Sequence, residues 1–170
     1  MHNSLRQMKR LSVVISLLLS LILSSCERIN DDRIPPLAVY IEFTNVGMWH
    51  TYGVAATPDF RYFIRSELKP AGFPYTELTY TGFGGVLLVC DIMNIPRAYD
   101  MACPYEAKNN VRIYVDKEKL QAVCPKCGSR FDIYDTPGYP LSGPAVEKRY
   151  GLQQYRVLGP NSFGGYVISR

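Results

Sequence analysis

Histidine is scarce in this 170-residue chain: there are two, and only His50 lies beyond the first 26 residues. A lone histidine with no nucleophile paired to it supports no catalytic triad. Acid is absent before Cys26, where Arg6, Lys9 and Arg10 supply three of the chain's basic residues. The remaining 144 residues hold 16 Lys and Arg against 15 Asp and Glu, a net charge of +1. That balance excludes nucleic acid as a partner. No apolar run reaches the roughly 18 residues of a mature membrane span. Internal repeats, low-complexity tracts and a convincing helical period are missing too. Charged residues (20%) are too few, and hydrophobic ones (47%) too many, for a disordered chain. The length allows one domain with a real core.

What is present begins with an address. Arg6, Lys9 and Arg10 precede an apolar stretch from Leu11 to Leu23 broken only by serines, the pattern of a signal peptide. It ends in Leu23-Ser24-Ser25-Cys26, which resembles the lipobox of bacterial lipoprotein precursors. The resemblance implies that residues 1–26 are a leader, that Cys26 carries a diacylglycerol anchor, and that the protein sits in the bacterial cell envelope outside the cytoplasm. Residues 27–36, Glu-Arg-Ile-Asn-Asp-Asp-Arg-Ile-Pro-Pro, read as a polar tether with a stiff end.

From Leu37 onward, short alternating runs are separated by Gly and Pro. Val39, Ile41 and Phe43 share a face of a first strand. Further strands are expected at 61–64, 85–90, 111–115, 120–123, 131–134, 154–158 and 166–169, with 117–119 as a hairpin turn. The segment 44–74 is the least readable. Thirteen Gly and 12 Pro, all beyond Cys26, suit frequent turns. The expected fold is all-β: an antiparallel sandwich or barrel over residues 37–170, with a small subdomain at about 99–145.

The cysteines sort by neighbourhood. Cys90 ends the run Val86-Leu87-Leu88-Val89 and reads as a small core hydrophobe. Cys103 lies in Ala-Cys-Pro-Tyr-Glu, and Cys124 and Cys127 lie in Cys-Pro-Lys-Cys-Gly-Ser. Cys-Pro-x-Cys-Gly is a knuckle that aims two thiolates at one metal. The expected hairpin over 111–123 would bring the two loops side by side.

Residues 99–157 resemble a Rieske iron–sulfur domain, an antiparallel β fold in which two loops clamp a [2Fe–2S] cluster. The family's loops are Cys-x-His and Cys-Pro-x-His-Gly-Ser, followed by a Phe-Asp strand and a Gly-Pro-Ala segment. Here they correspond to Cys103-Pro104-Tyr105, Cys124-Pro125-Lys126-Cys127-Gly128-Ser129, Phe131-Asp132 and Gly143-Pro144-Ala145. The resemblance implies cluster binding and electron transfer to a redox protein partner. Gly128 and Ser129 would donate hydrogen bonds to the sulfurs, and residues 142–145, including Gly143 and Pro144, would cover them.

The ligand set departs from the family. Tyr105 and Cys127 stand where the two histidines would be, so a Cys₂His₂ centre cannot form from this chain alone. A cluster would need Cys103, Cys124 and Cys127 plus Tyr105, Glu106, His50 or an exogenous ligand. Tyr is a poor ligand unless its phenol, with a free pKa of about 10, is deprotonated by the metal. A second reading is one zinc or iron in a ribbon-like site, with Cys103-x-x-Glu106 and Cys124-x-x-Cys127 as ligand pairs. A third has no cofactor: the fold persists as a structural or interaction module, and two of the three cysteines form a disulfide.

Elsewhere the chemistry is thin. His50 reads as exposed or hydrogen-bonded, and Tyr75, Tyr80 and Phe83 as core or hairpin-face aromatics. Gly82-Phe83-Gly84-Gly85 and Gly164-Gly165 read as turns. Asp31, Asp32, Asp100 and Glu106 read as solvated acids. Nothing builds a small-molecule substrate pocket, so an electron-transfer or accessory module is expected, and not a self-contained enzyme.

Overall fold

The computed structural model describes residues 28–170. The leader, Cys26 and the first residue of the tether lie outside the described residues. Val39–Phe43 is β1, with Val39, Ile41 and Phe43 buried and Tyr40 and Glu42 exposed. Strict alternation of this kind belongs to a sheet with one face on a core. The remaining strands are β2 (Phe60–Phe63), β3 (Tyr80–Thr81), β4 (Val86–Cys90), β5 (Pro96–Asp100), β6 (Tyr114–Asp116), β7 (Gln121–Val123), β8 (Arg130–Asp132), β9 (Pro140–Ser142), β10 (Gln154–Leu158) and β11 (Tyr166–Ser169). Among the described residues, two short α-helices, α1 (Val46–Tyr52) and α2 (Pro144–Lys148), and a 3₁₀ turn at Arg65–Glu67 accompany the strands.

The all-β expectation holds. Seven strands in the order β2-β4-β5-β10-β11-β1-β3 form an antiparallel, nearly closed barrel-like sheet. A second sheet, β6-β7-β8-β9, is a simple meander. It arises entirely between β5 and β10, which pair with each other (Tyr99 opposite Gln154). The chain leaves the large sheet after Asp100, builds the meander and α2, and returns at Gln154.

β4 explains how the two sheets stay together. All five of its residues are buried, as the unbroken apolar run suggests. Val86, Leu88 and Cys90 face a core with Ile41, Phe43, Phe63, Phe73, Ala98 and Ile168. Leu87 and Val89 face the opposite way, into a second core with Ile113, Ala122, Phe131 and Ile133 of the meander. The free thiol of Cys90 is thus a core residue, 1% exposed.

The structure departs from the sequence reading at α1, β3, β5, β9 and α2, and at Asp100. α1 occupies part of the unreadable segment. Asn45 caps it by accepting from Met48 N–H at 3.0 Å, and Trp49 stacks on Tyr166 at 3.8 Å between ring centroids. At seven residues it is too short to show a period. β5 opens with Pro96, a residue confined to strand ends and edges, which hides the strand in the sequence. Asp100 is not solvated: it is fully buried. Its carboxylate accepts from the N–H groups of Phe83 (3.0 Å), Gly84 (3.0 Å) and Ala102 (2.7 Å) and from the Tyr155 hydroxyl (2.5 Å). Burial raises its pKa above the ordinary carboxylate value despite these donors.

Among the described residues no helix is long and apolar enough to cross a membrane.

Candidate metal centre

The first loop leaves β5 at Asp100, whose carboxylate fixes Ala102 N–H and so sets the path into Cys103. Cys103 is then pinned on both sides of its peptide: its N–H donates to Val111 O at 2.9 Å, and its carbonyl accepts from Ala107 N–H at 2.8 Å. The second loop spans 124–129 between β7 and β8, whose last pair is Val123 opposite Arg130. It is closed by two bonds, Cys124 N–H to Ser129 O at 2.9 Å and Gly128 N–H to Cys124 O at 3.0 Å.

These loops bring the sulfurs of Cys103, Cys124 and Cys127 within 4.8 Å of one another, and Cys103 Sγ lies 3.6 Å from Cys127 Sγ. Cys103 lies 21 and 24 residues before Cys124 and Cys127, so its approach to that locally spaced pair belongs to the fold. Cys103 and Cys124 are buried and Cys127 half-buried. No pair among them is disulfide-bonded. Together they form a thiol group of the size and character that holds a metal ion.

The environment of each sulfur is distinct. Burial pushes the Cys103 thiol well up, against a lowering contribution from the Glu106 N–H. Burial also raises Cys124, opposed by the N–H groups of Cys127 and Lys126. For Cys127 burial acts upward as well, but the Ser129 hydroxyl and N–H, with the neighbouring sulfurs, outweigh it and the net shift is downward. The Cys127 thiol meets Ser129 Oγ at 3.2 Å, and that oxygen also accepts from Ala145 N–H at 3.1 Å. Backbone and hydroxyl donors aimed at sulfur are what a thiolate centre requires.

The other candidates fall around this triad. Ser129 is fully buried and its N–H acts on Cys127, whereas the Gly128 N–H is taken by the Cys124 carbonyl. Gly143 packs on Ser129 with φ of +81°, and a Cβ there would sit 2.8 Å from Ser129 Cα. Pro144 then starts α2, which delivers Ala145 N–H to Ser129. Tyr105 is 38% exposed. Glu106 is outside the sulfur group: its carboxylate binds Lys126 Nζ at 2.5 Å and joins the two loops across the site. His50 is exposed in the last turn of α1 and is not part of the group. Two residues that shape the site escaped the sequence reading. They are Asp100, which carries no motif, and Lys126, whose partner is set only by loop docking.

The three Cys positions could therefore hold a metal ion, while a Cys₂His₂ centre does not fit. Compared with family models, with curated proteins and with solved structures, the chain matches none.

Proposed function

We propose that this protein is an envelope lipoprotein, anchored through Cys26, that binds an iron–sulfur cluster through Cys103, Cys124 and Cys127 and passes single electrons at the membrane surface. The observation that carries the reading is the meeting of three loop cysteines, two buried and one half-buried, from two hydrogen-bonded loops. The motifs around them resemble those of a Rieske domain, and the insertion between β5 and β10 that presents them suits a cluster-binding subdomain. When bound, such a cluster supplies a one-electron couple. The chain's own residues hold and tune it. Three thiolates in place of two thiolates and two imidazoles add negative charge and lower the potential, while Ser129 and the loop N–H groups act in the opposite sense. A redox protein in or at the same membrane is the partner this reading requires.

A second reading is favoured by one distance. Zn–S bonds of about 2.3 Å in a tetrahedron put sulfurs roughly 3.8 Å apart. The 3.6 Å separation of Cys103 and Cys127, inside a group no wider than 4.8 Å, suits three vertices around a single ion.

Anaerobic purification separates the two. Brown protein with iron and acid-labile sulfide in equal amounts supports the cluster. Colourless protein with stoichiometric zinc and no sulfide supports the mononuclear site. Metal-free protein whose Cys124→Ser variant folds and is exported normally refutes both.

A further inference from the structure

The stretch that follows Cys26 is fastened to the domain. Asn30 N–H donates to Arg149 O at 2.8 Å and Gly151 N–H donates to Asn30 O at 3.0 Å, forming a parallel β-bridge between Asn30 and Tyr150. Ile29 fills the space beside Gly151, where a Cβ would lie 2.7 Å from Ile29 Cγ2. The Arg33 guanidinium stacks 4.6 Å over the Tyr150 ring, and Ile34 is 2% exposed. A segment that is polar and Pro-ended in sequence is, from Ile29 to Ile34, a strap.

The strap shortens the leash. A chain unattached until β1 at Val39 could place the domain roughly 45 Å from Cys26, whereas the four steps along the chain from Cys26 to Asn30 reach at most roughly 14 Å. The fastening point is also next to the metal loops. Arg149 directly follows α2, a helix about 7.5 Å long, whose first turn bonds Ser129 beside Cys127.

We propose that this strap mounts the domain on the lipid surface in one orientation. The α2 edge then faces the headgroups, and the cysteine triad lies on the order of 30 Å from the acylated residue. An unfastened domain of this size, roughly 40 Å across, could carry its triad to about twice that height. The mounting confines electron exchange to partners in or on the same membrane. It rests on the reading of Cys26 as the lipid site. Charge adds little: Arg28, Arg33, Lys148 and Arg149 at this edge stand against Asp31, Asp32 and Glu147, a net charge of +1. The orientation is therefore insensitive to salt.

The test uses the full-length lipidated protein in phosphatidylcholine vesicles doped with nitroxide-headgroup lipid. A fluorescent unnatural amino acid replaces the exposed Lys148. Strong quenching is expected, unchanged between about 0.05 and about 0.5 M salt. Asn30→Pro removes the N–H given to Arg149 and, combined with Ile34→Ser, is expected to lower quenching about twofold or more as the leash lengthens. Hydrogen exchange at Gly151 reports the strap independently: slow in the parent, fast in the variant. Fast exchange in the parent, or a variant with fast exchange and undiminished quenching, overturns the mounting. An intact mass lacking the acyl group overturns it through the anchor, and a slow Gly151 amide in that sample shows that the anchor, and not the strap, has failed.

Discussion

Replacing Asp100 is the sharpest test of how this fold supports its cysteine loops. In Asp100→Ala the N–H groups of Phe83, Gly84 and Ala102 and the Tyr155 hydroxyl lose their acceptor inside a fully buried site. Each stranded buried donor costs about 1–3 kcal/mol. Four of them total about 4–8 kcal/mol once partial relaxation is allowed, a large share of the about 5–15 kcal/mol that keeps a domain folded. Tyr155→Phe removes one donor and leaves the carboxylate three others, so its cost is about 1–2 kcal/mol. The assay is urea unfolding followed by the fluorescence of Trp49, the chain's one Trp, which stacks on Tyr166. A pH series adds a sign. Burial raises the Asp100 pKa in the folded state, so the folded protein holds that proton more tightly than the unfolded chain, whose value is near 4. The stability the carboxyl contributes is full below the unfolded value and is lost as pH rises through the folded one. The stability difference between the parent and Asp100→Asn should therefore shrink from acid to neutral pH. An Asp100→Ala protein within about 1 kcal/mol of the parent, or a difference from Asp100→Asn that grows with pH, refutes this account.

Three further outcomes follow. Asp132 accepts from the N–H groups of Tyr134, Asp135 and Thr136 and from the Thr136 hydroxyl at 2.6 Å; burial acts upward, but these donors prevail and its pKa is lowered. Its contribution is present above the unfolded value near 4 and lost as pH falls through the folded one, so Asp132→Asn should destabilise at pH 7 and approach the parent at strongly acid pH in urea titrations. Gly143→Ala places a methyl against Ser129 in a backbone conformation that suits glycine; a loss of about 1–3 kcal/mol in thermal unfolding, with reduced metal content by elemental analysis, is expected. Leu87→Ala opens the core between the sheets and should cost about 2–5 kcal/mol by urea unfolding, without changing the number of bound metal ions per folded molecule.

Much of this was legible because it is local. β1, β10 and β11 stand where the alternation of Val39, Ile41 and Phe43, and the runs 154–158 and 166–169, place them. Cys103, Cys124 and Cys127 stood out through the Pro and Gly beside them, and the fold brings those three sulfurs together. What stayed hidden is non-local. The burial of Asp100 is decided by Phe83, Gly84 and Tyr155, up to 55 residues away. β3 and β9 have two and three residues, too few for any period. The grip of Arg149, Tyr150 and Gly151 on residues 29–34 links distant parts of the chain, which neither end announces.

β4 carries a consequence beyond packing. Because Val86 and Leu88 serve one core and Leu87 and Val89 the other, neither core can dissolve while the strand keeps its shape, and neither can persist once it is gone. The meander carrying Cys124 and Cys127 is therefore no detachable module. It shares a backbone with the barrel's interior, so the molecule should melt as one cooperative unit, and the loops around the thiols inherit the rigidity of the whole.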